Sequence, residues 1–162
     1  MNLDKLPYRP CVGLMIVNDL GRVFVGRRID NREGKAWQMP QGGVDKGEEL
    51  HAAAWRELHE ETGIGRDLVE LVAETPNPLF YDLPAELVPN FWKGRFRGQS
   101  QHWLLVRFTG TDADIDLEAH NPAEFCDFRW VDPAELPDLA VEFKREVYTS
   151  LVEQFGPLIV RA

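Results

Sequence analysis

Three carboxylates, Glu57, Glu60 and Glu61, crowd the end of the segment "GVDKGEELHAAAWRELHEETGI" that runs from Gly43 to Ile64. The segment has helical spacing over 49–62, and Gly63 stands where helices commonly close on a left-handed residue. At the ~100° per residue of an α-helix, the three carboxylates share one face with Leu50, Ala53, Ala54 and Leu58. The acidic side is therefore the side turned toward the protein. That placement is unfavourable on its own, because the carboxylates repel one another and sit at the negative end of the helix dipole. A solvated glutamate-rich face would put them opposite the apolar stripe instead. A divalent cation resolves the conflict. Hard ions such as Mg2+ or Mn2+ take carboxylate oxygens and complete their shell with water and substrate phosphates.

The elements that must hold this helix are readable around it. "CVGLMIVN" (11–18) and "RVFVGRR" (22–28) flank "DLG" and read as a hairpin. Runs at 68–74, 102–108 and 126–131 are rich in branched and aromatic residues and read as further strands. A second helix is expected over about 138–155, with Leu139, Phe143, Val147 and Leu151 on one side. Between them, residues 75–101 contain Pro76, Pro78, Pro84 and Pro89, then Gly94 and Gly98. This stretch reads as a long loop, either a substrate-facing segment or a surface insertion.

At 162 residues, 44% hydrophobic and 28% charged, the chain has the size and composition of a single globular domain spanning 1–162. The start "MNLDKLPYRP" lacks a signal-peptide pattern, and no apolar run approaches the roughly 20 residues that cross a bilayer. A cytoplasmic protein without a membrane partner is expected. Cys11 and Cys126 each lie in an apolar run and are expected to be buried free thiols. The formal charge of −9 excludes a protein that coats nucleic acid or anionic membrane by bulk attraction. A phosphate ligand must then be held by local contacts.

Gly42, Glu48 and the run "RELHEETGI" from Arg56 to Ile64 together resemble the Nudix box, with every fixed position present. "YRPCVG", "WQMPQGG", "YDLP", "GQSQHW", "EFCDFRWV" and "VEFKREVY" extend the likeness, which is to the branch of bacterial RNA pyrophosphohydrolases and dinucleoside polyphosphate hydrolases. The resemblance implies an α/β fold, an α/β/α sandwich with a mixed β-sheet. It also implies Mg2+-dependent hydrolysis of a nucleoside diphosphate linkage, with Mn2+ as a substitute. Removal of pyrophosphate from 5'-triphosphate RNA is the preferred reaction, and hydrolysis of dinucleoside polyphosphates is the alternative. A domain that binds nucleotides without cleaving them is a third reading, against which the full set of box glutamates speaks.

The resemblance assigns roles residue by residue. Glu57, Glu60 and Glu61 are the main metal ligands, and Glu57 is the first choice to accept the proton of the attacking water. Glu124, in "PAEF", matches a further metal-binding or catalytic glutamate of this branch. Arg56 is expected to pair with a carboxylate and fix the neighbouring loop, with Glu48 as its partner or as an outer metal ligand. Gly42 and Gly43 permit a tight turn and close approach of the backbone, while Gly47 and Gly63 frame the helix. For the substrate, Arg9 and Arg28 are matched to phosphate and base contacts, since guanidinium pairs with phosphate and stacks on bases. Tyr81, Gln99, Gln101, Phe143 and Lys144 are secondary candidates. Phe143 suits core packing and nucleobase stacking equally, whereas Tyr81, read as a loop residue, has little packing reason for its position. Arg27, Lys93, Arg95, Arg97 and Arg145 are expected to be mostly solvated. The sequence stops at Ala162 without a basic tail. RNA recognition is thus expected to be confined to the triphosphate and the first few nucleotides.

Overall fold

The computed structural model describes residues 2–29 and 37–159. The single-domain expectation over 1–162 therefore includes positions outside the described residues. The chain runs β1 (Tyr8–Val17), β2 (Val23–Arg28), β3 (Trp37–Gln38), β4 (Gln41–Gly43), α1 (Leu50–Thr62), β5 (Val69–Glu74), β6 (Leu79–Asp82), β7 (Gly98–Phe108), β8 (Phe125–Val131), α2 (Leu136–Leu139) and α3 (Arg145–Phe155). Short 3-10 turns fill several of the connections.

In β1 every residue from Cys11 to Val17 is buried, because both faces of the sheet around it are covered. Val12, Leu14 and Ile16 enter one core, and Met15 and Val17 enter the other, as the period of a pleated strand requires. β1 pairs in parallel with β7 along its whole length and antiparallel with β2 and β4. The sheet path is β3-β2-β1-β7-β5, with β4 added on β1, β6 on β7 and β8 on β2. Among the described residues it is a mixed sheet of eight strands. At the first turn, Asn18 Oδ1 accepts from the backbone N–H of Leu20 and Arg22, which closes the expected hairpin.

α1 lies on one face, where Ala53, Ala54 and Leu58 join Val12, Leu14, Phe24 and Leu104. α3 lies on the other, where Val147, Tyr148, Leu151 and Phe155 join Met15, Trp103 and Leu105. Each large side chain buried in these layers contributes about 1.5–3 kcal/mol, so the two cores fix the helices on opposite sides of the sheet. The α/β/α sandwich is present. No described helix is long and apolar enough to cross a membrane.

Six expectations are corrected. Gly42 and Gly43 do not form a tight turn: both are strand residues of β4, paired with Val12 and Cys11 of β1. The helix expected over 138–155 is broken: Ala140 and Val141 are extended, a 3-10 turn covers Glu142–Lys144, and α3 starts at Arg145. The break lets Leu136 and Ala140 bury in the core while Phe143 and Lys144 turn elsewhere. The loop expected over 75–101 contains β6, two 3-10 turns and the start of β7. Its prolines lie outside the strands, with Pro84 capping one 3-10 turn and Pro89 inside it. Tyr81 is consequently not a loop residue; it is a buried residue of β6, paired with Gln99. Leu50, at the first position of α1, is 42% exposed and does not extend the buried stripe. Cys11 is a buried thiol, whereas Cys126 alternates outward next to buried Phe125 on β8 and is exposed.

Candidate active site

The last turns of α1 bring their carboxylates against β4. Glu57 and Glu61 are buried and Glu60 is half-buried, so the acidic face does point inward. Room for Glu57 comes from Gly42, where any Cβ would collide with the Glu57 carboxylate. The Gln41 backbone N–H donates to Glu61 Oε2 at 3.3 Å. α1 ends at Gly63, whose φ of 75° suits a residue without a side chain and whose N–H reaches the His59 carbonyl.

Arg56 ties this cluster together. It donates through Nε and Nη2 to both oxygens of Glu48 at 2.9 and 2.8 Å, and through Nη2 to the Gly43 carbonyl at 2.9 Å. Its Nη1 donates to Glu57 Oε1 at 2.8 Å and Glu60 Oε2 at 3.3 Å. The cation offsets part of the repulsion at the helix end and fixes the β4 to α1 connection. The twofold clamp holds the Glu48 carboxyl down at about 2. Burial pushes the Glu57 carboxyl up, an effect that Arg56 opposes. Burial pushes Glu61 well up, and the negative charges of Glu57 and Glu124 add to the effect.

These carboxylates open onto a cleft of about 390 Å3. Glu57, Glu60, Glu61 and Glu124 line it, together with Gly42 and Gly43. Arg9, Arg28, Tyr81, Gln99, Phe143 and Lys144 complete the group named from the sequence. Arg9 lies over Gly43, where a side chain would displace its guanidinium, and 5.3 Å from the centre of the Trp92 ring. Lys144 Nζ is 5.5 Å from the centre of the Tyr81 ring, which in turn contacts Phe143 with centroids 5.5 Å apart. Burial and then the charge of Arg28 lower the Lys144 ammonium to about 8. Phe143 packs against the core, as one of its two readings expected, and also lines the cleft.

Glu48, Arg56 and Gly63 stand behind the cleft rather than in its wall. Gln101 is also outside it: its amide donates to Gln99 and Gln41, and its carbonyl accepts from Trp103 Nε1 at 2.8 Å. The side chain is committed to a buried polar ladder. Sequence reasoning missed Gln41, Phe91, Trp92 and His120, which also line the cleft. The available signal for two of these was "NFWKG", an aromatic pair in a segment without regular periodicity.

The donor set is all oxygen, partly desolvated and strongly negative, which fits a hard divalent cation rather than a thiophilic one. Such an ion would neutralise phosphate charge and make bound water more acidic. In the same cleft, Arg9 and Lys144 offer cationic groups for phosphate, and Trp92 offers a ring surface.

Comparison with known proteins bears on this arrangement. The NUDIX domain model matches residues 7–151. A protein of Novosphingobium aromaticivorans named RNA pyrophosphohydrolase is 62% identical over 154 residues, covering 95% of this chain and 96% of that one. Another of that name, from Erythrobacter litoralis, is 56% identical over 156 residues, covering 96% of this chain and 95% of that one. Among solved structures, an E. coli dihydroneopterin triphosphate pyrophosphohydrolase superposes with a TM-score of 0.70 at 20% identity, covering 91% of this chain and 99% of that one. The C. elegans Ap4A hydrolase in a binary complex gives 0.66 at 22% identity, with 91% and 96% covered. These two likenesses establish the fold alone. The extent of the family match and the identity of the curated relatives support one assignment: the chain belongs to the NUDIX family, as a hydrolase acting on phosphoric anhydride bonds.

Proposed function

We propose that this hydrolase removes pyrophosphate from the 5'-triphosphate end of RNA, with Mg2+ as its cofactor and Mn2+ as a substitute. One observation carries the reading: a single cleft places buried carboxylates of α1 together with Arg9, Lys144 and the Trp92 ring, so that phosphate and base groups of one nucleotide end have facing partners. The relatives named RNA pyrophosphohydrolase support it.

On this reading Glu57, Glu60, Glu61 and Glu124 hold the cation. Glu57 accepts a proton from the attacking water, a role to which burial suits it by raising its basicity. Arg56 holds Glu57 in place and anchors Glu48 and the Gly43 carbonyl. Arg9, Arg28 and Lys144 receive phosphate oxygens, while Trp92, Tyr81 and Phe143 offer faces to the terminal base. Gln99 and the backbone of Gly42 and Gly43 shape the wall between them. Water adds to phosphorus, the anhydride link between the α and β phosphates breaks, and pyrophosphate leaves a monophosphate RNA end. The working compartment on this reading is the cytoplasm.

Hydrolysis of dinucleoside polyphosphates is the second reading. It is favoured by two aromatic pairs at the cleft, Phe91 with Trp92 and Tyr81 with Phe143, which suit a substrate with two bases. Binding of 5'-triphosphate RNAs of increasing length to Glu57→Gln, across a salt series, tests the RNA-end reading. Recognition of the end alone gives affinity that levels off after the first few nucleotides and a shallow salt slope. A long RNA track steepens the slope by about 0.7 per added phosphate and overturns end-only recognition. Absence of RNA binding beside tight binding of diadenosine tetraphosphate promotes the second reading.

A further inference from the structure

Outside the cleft, one cluster of metal-ligating side chains has no part in the reaction described above. His51 on α1, Glu74 at the end of β5 and His102 on β7 converge from three separate elements. His51 Nε2 is 3.1 and 3.0 Å from the two oxygens of Glu74, and His102 Nε2 is 2.7 Å from Glu74 Oε1. All three ligand atoms lie within 4.8 Å of one another. Two imidazole nitrogens thus meet at one carboxylate.

We propose that His51, Glu74 and His102 form a surface site for a transition-metal dication of the zinc type, distinct from the carboxylate site that serves hydrolysis. The donor chemistry separates the two. Imidazole nitrogen suits Zn2+, Co2+ or Ni2+, whereas the all-oxygen cluster on the cleft side of α1 suits Mg2+ and Mn2+. The spacing agrees. Ligands about 2.0–2.1 Å from a tetrahedral zinc stand roughly 3.3 Å apart, and the observed nitrogen to oxygen separations need only small outward rotations of partly exposed side chains. Three protein ligands leave the remaining coordination to water, as expected of an exchangeable site at the surface.

The placement gives the site a mechanical consequence. His51 is in the first turn of α1, and Glu74 and His102 belong to the sheet beneath it. An ion held by all three fastens the start of the catalytic helix to β5 and β7. The site rests on none of the substrate assignment and survives if that assignment fails.

The experiment uses the full chain stripped of metal by chelator and then saturated with Mg2+, so that the carboxylate cluster is occupied. Zn2+ is titrated by calorimetry, Co2+ uptake is followed by visible absorption, and thermal melting is recorded with each. The wild type is expected to take one Zn2+ or Co2+ per chain and to melt at a higher temperature with it. His102→Ala and His51→Ala are expected to lose more than about a hundredfold in affinity along with the thermal shift. Both should keep the wild-type rate of hydrolysis with Mg2+ alone, which also reports that they fold; because His51 is exposed, its variant backs up His102→Ala should the latter misfold. The proposal is overturned if the Mg2+-saturated protein takes up no Zn2+, or if the double variant His51→Ala/His102→Ala binds it as the wild type does.

Discussion

The Glu57 carboxylate rests against Gly42, in the space that a side chain at Gly42 would fill. A residue of β4 thereby sets the position of a carboxylate on α1, and the absence of one carbon atom is what permits it. Gly42→Ala should push Glu57 out of line and lower kcat by on the order of 100-fold, while the melting temperature changes by only a few degrees, about what 1 kcal/mol produces. Steady-state kinetics and a thermal melt on the same preparation check this. A wild-type kcat in Gly42→Ala would show that the seat of Glu57 is not required.

Glu61 links stability and function with opposite signs. Burial, and then the charges of Glu57 and Glu124, raise its carboxyl above the ordinary range in the folded metal-free chain. The folded state therefore holds a proton that the unfolded state, titrating at about 4.3, has already lost. Metal-free stability falls as pH rises from that value through the folded pKa. Glu61→Gln should remove this loss and raise the melting temperature of the metal-free protein at neutral pH. Turnover should collapse in Glu61→Gln, as in Glu57→Gln. Near wild-type rates in both variants at saturating Mg2+ would refute the ligand assignment.

Glu48 has the reverse sign. The Arg56 clamp holds its carboxyl at about 2 in the folded protein. Its stabilising contribution is complete above the unfolded value of about 4.3, and it is lost as pH falls from there through about 2. Acid unfolding followed by circular dichroism should be less steep over that window in Glu48→Gln, which should also start from lower stability at neutral pH.

Lys144 should give substrate binding an alkaline limb. Its ammonium titrates at about 8, held down first by burial and then by Arg28. Below that pH it is charged and attracts phosphate; above it the attraction is lost. Affinity for a non-hydrolysable triphosphate analogue should fall as pH rises through about 8 in the wild type and stay nearly level in Lys144→Arg. Parallel profiles in the two proteins would place the limb on another group.

What the sequence disclosed followed the range of the interactions. The register of α1, the inward turn of Glu57 and Glu61 and the closing Gly63 all arise within one helix, and a local pattern records them. The pairing of Arg56 with Glu48 was one of two roles for Glu48 that the family resemblance offered, and the structure shows it. Tyr81 was misread because its burial depends on β6 joining β7, a pairing across residues that carry no sign of it in the proline-rich stretch. The break at Ala140 was hidden because Leu139, Phe143 and Val147 keep helical spacing on both sides of it. Trp92, held with φ of 48° at the start of a short 3-10 turn, follows no periodic rule, so its place beside Arg9 had no local signal. Family resemblance therefore supplied Arg9 and Arg28 of the cleft, while Phe91, Trp92 and His120 came only from the fold.

On the proposed function, the cleft acts on the triphosphate end of RNA. The most direct test of this is catalytic efficiency with Mg2+ on 5'-triphosphate RNA and on diadenosine tetraphosphate, measured side by side, with Glu57→Gln and a chelator as controls. Pyrophosphate release from RNA should proceed with kcat/KM at least about tenfold higher, a difference of roughly 1.4 kcal/mol in transition-state stabilisation, and both activities should be lost in the controls. Equal or greater efficiency on diadenosine tetraphosphate would contradict the proposed function.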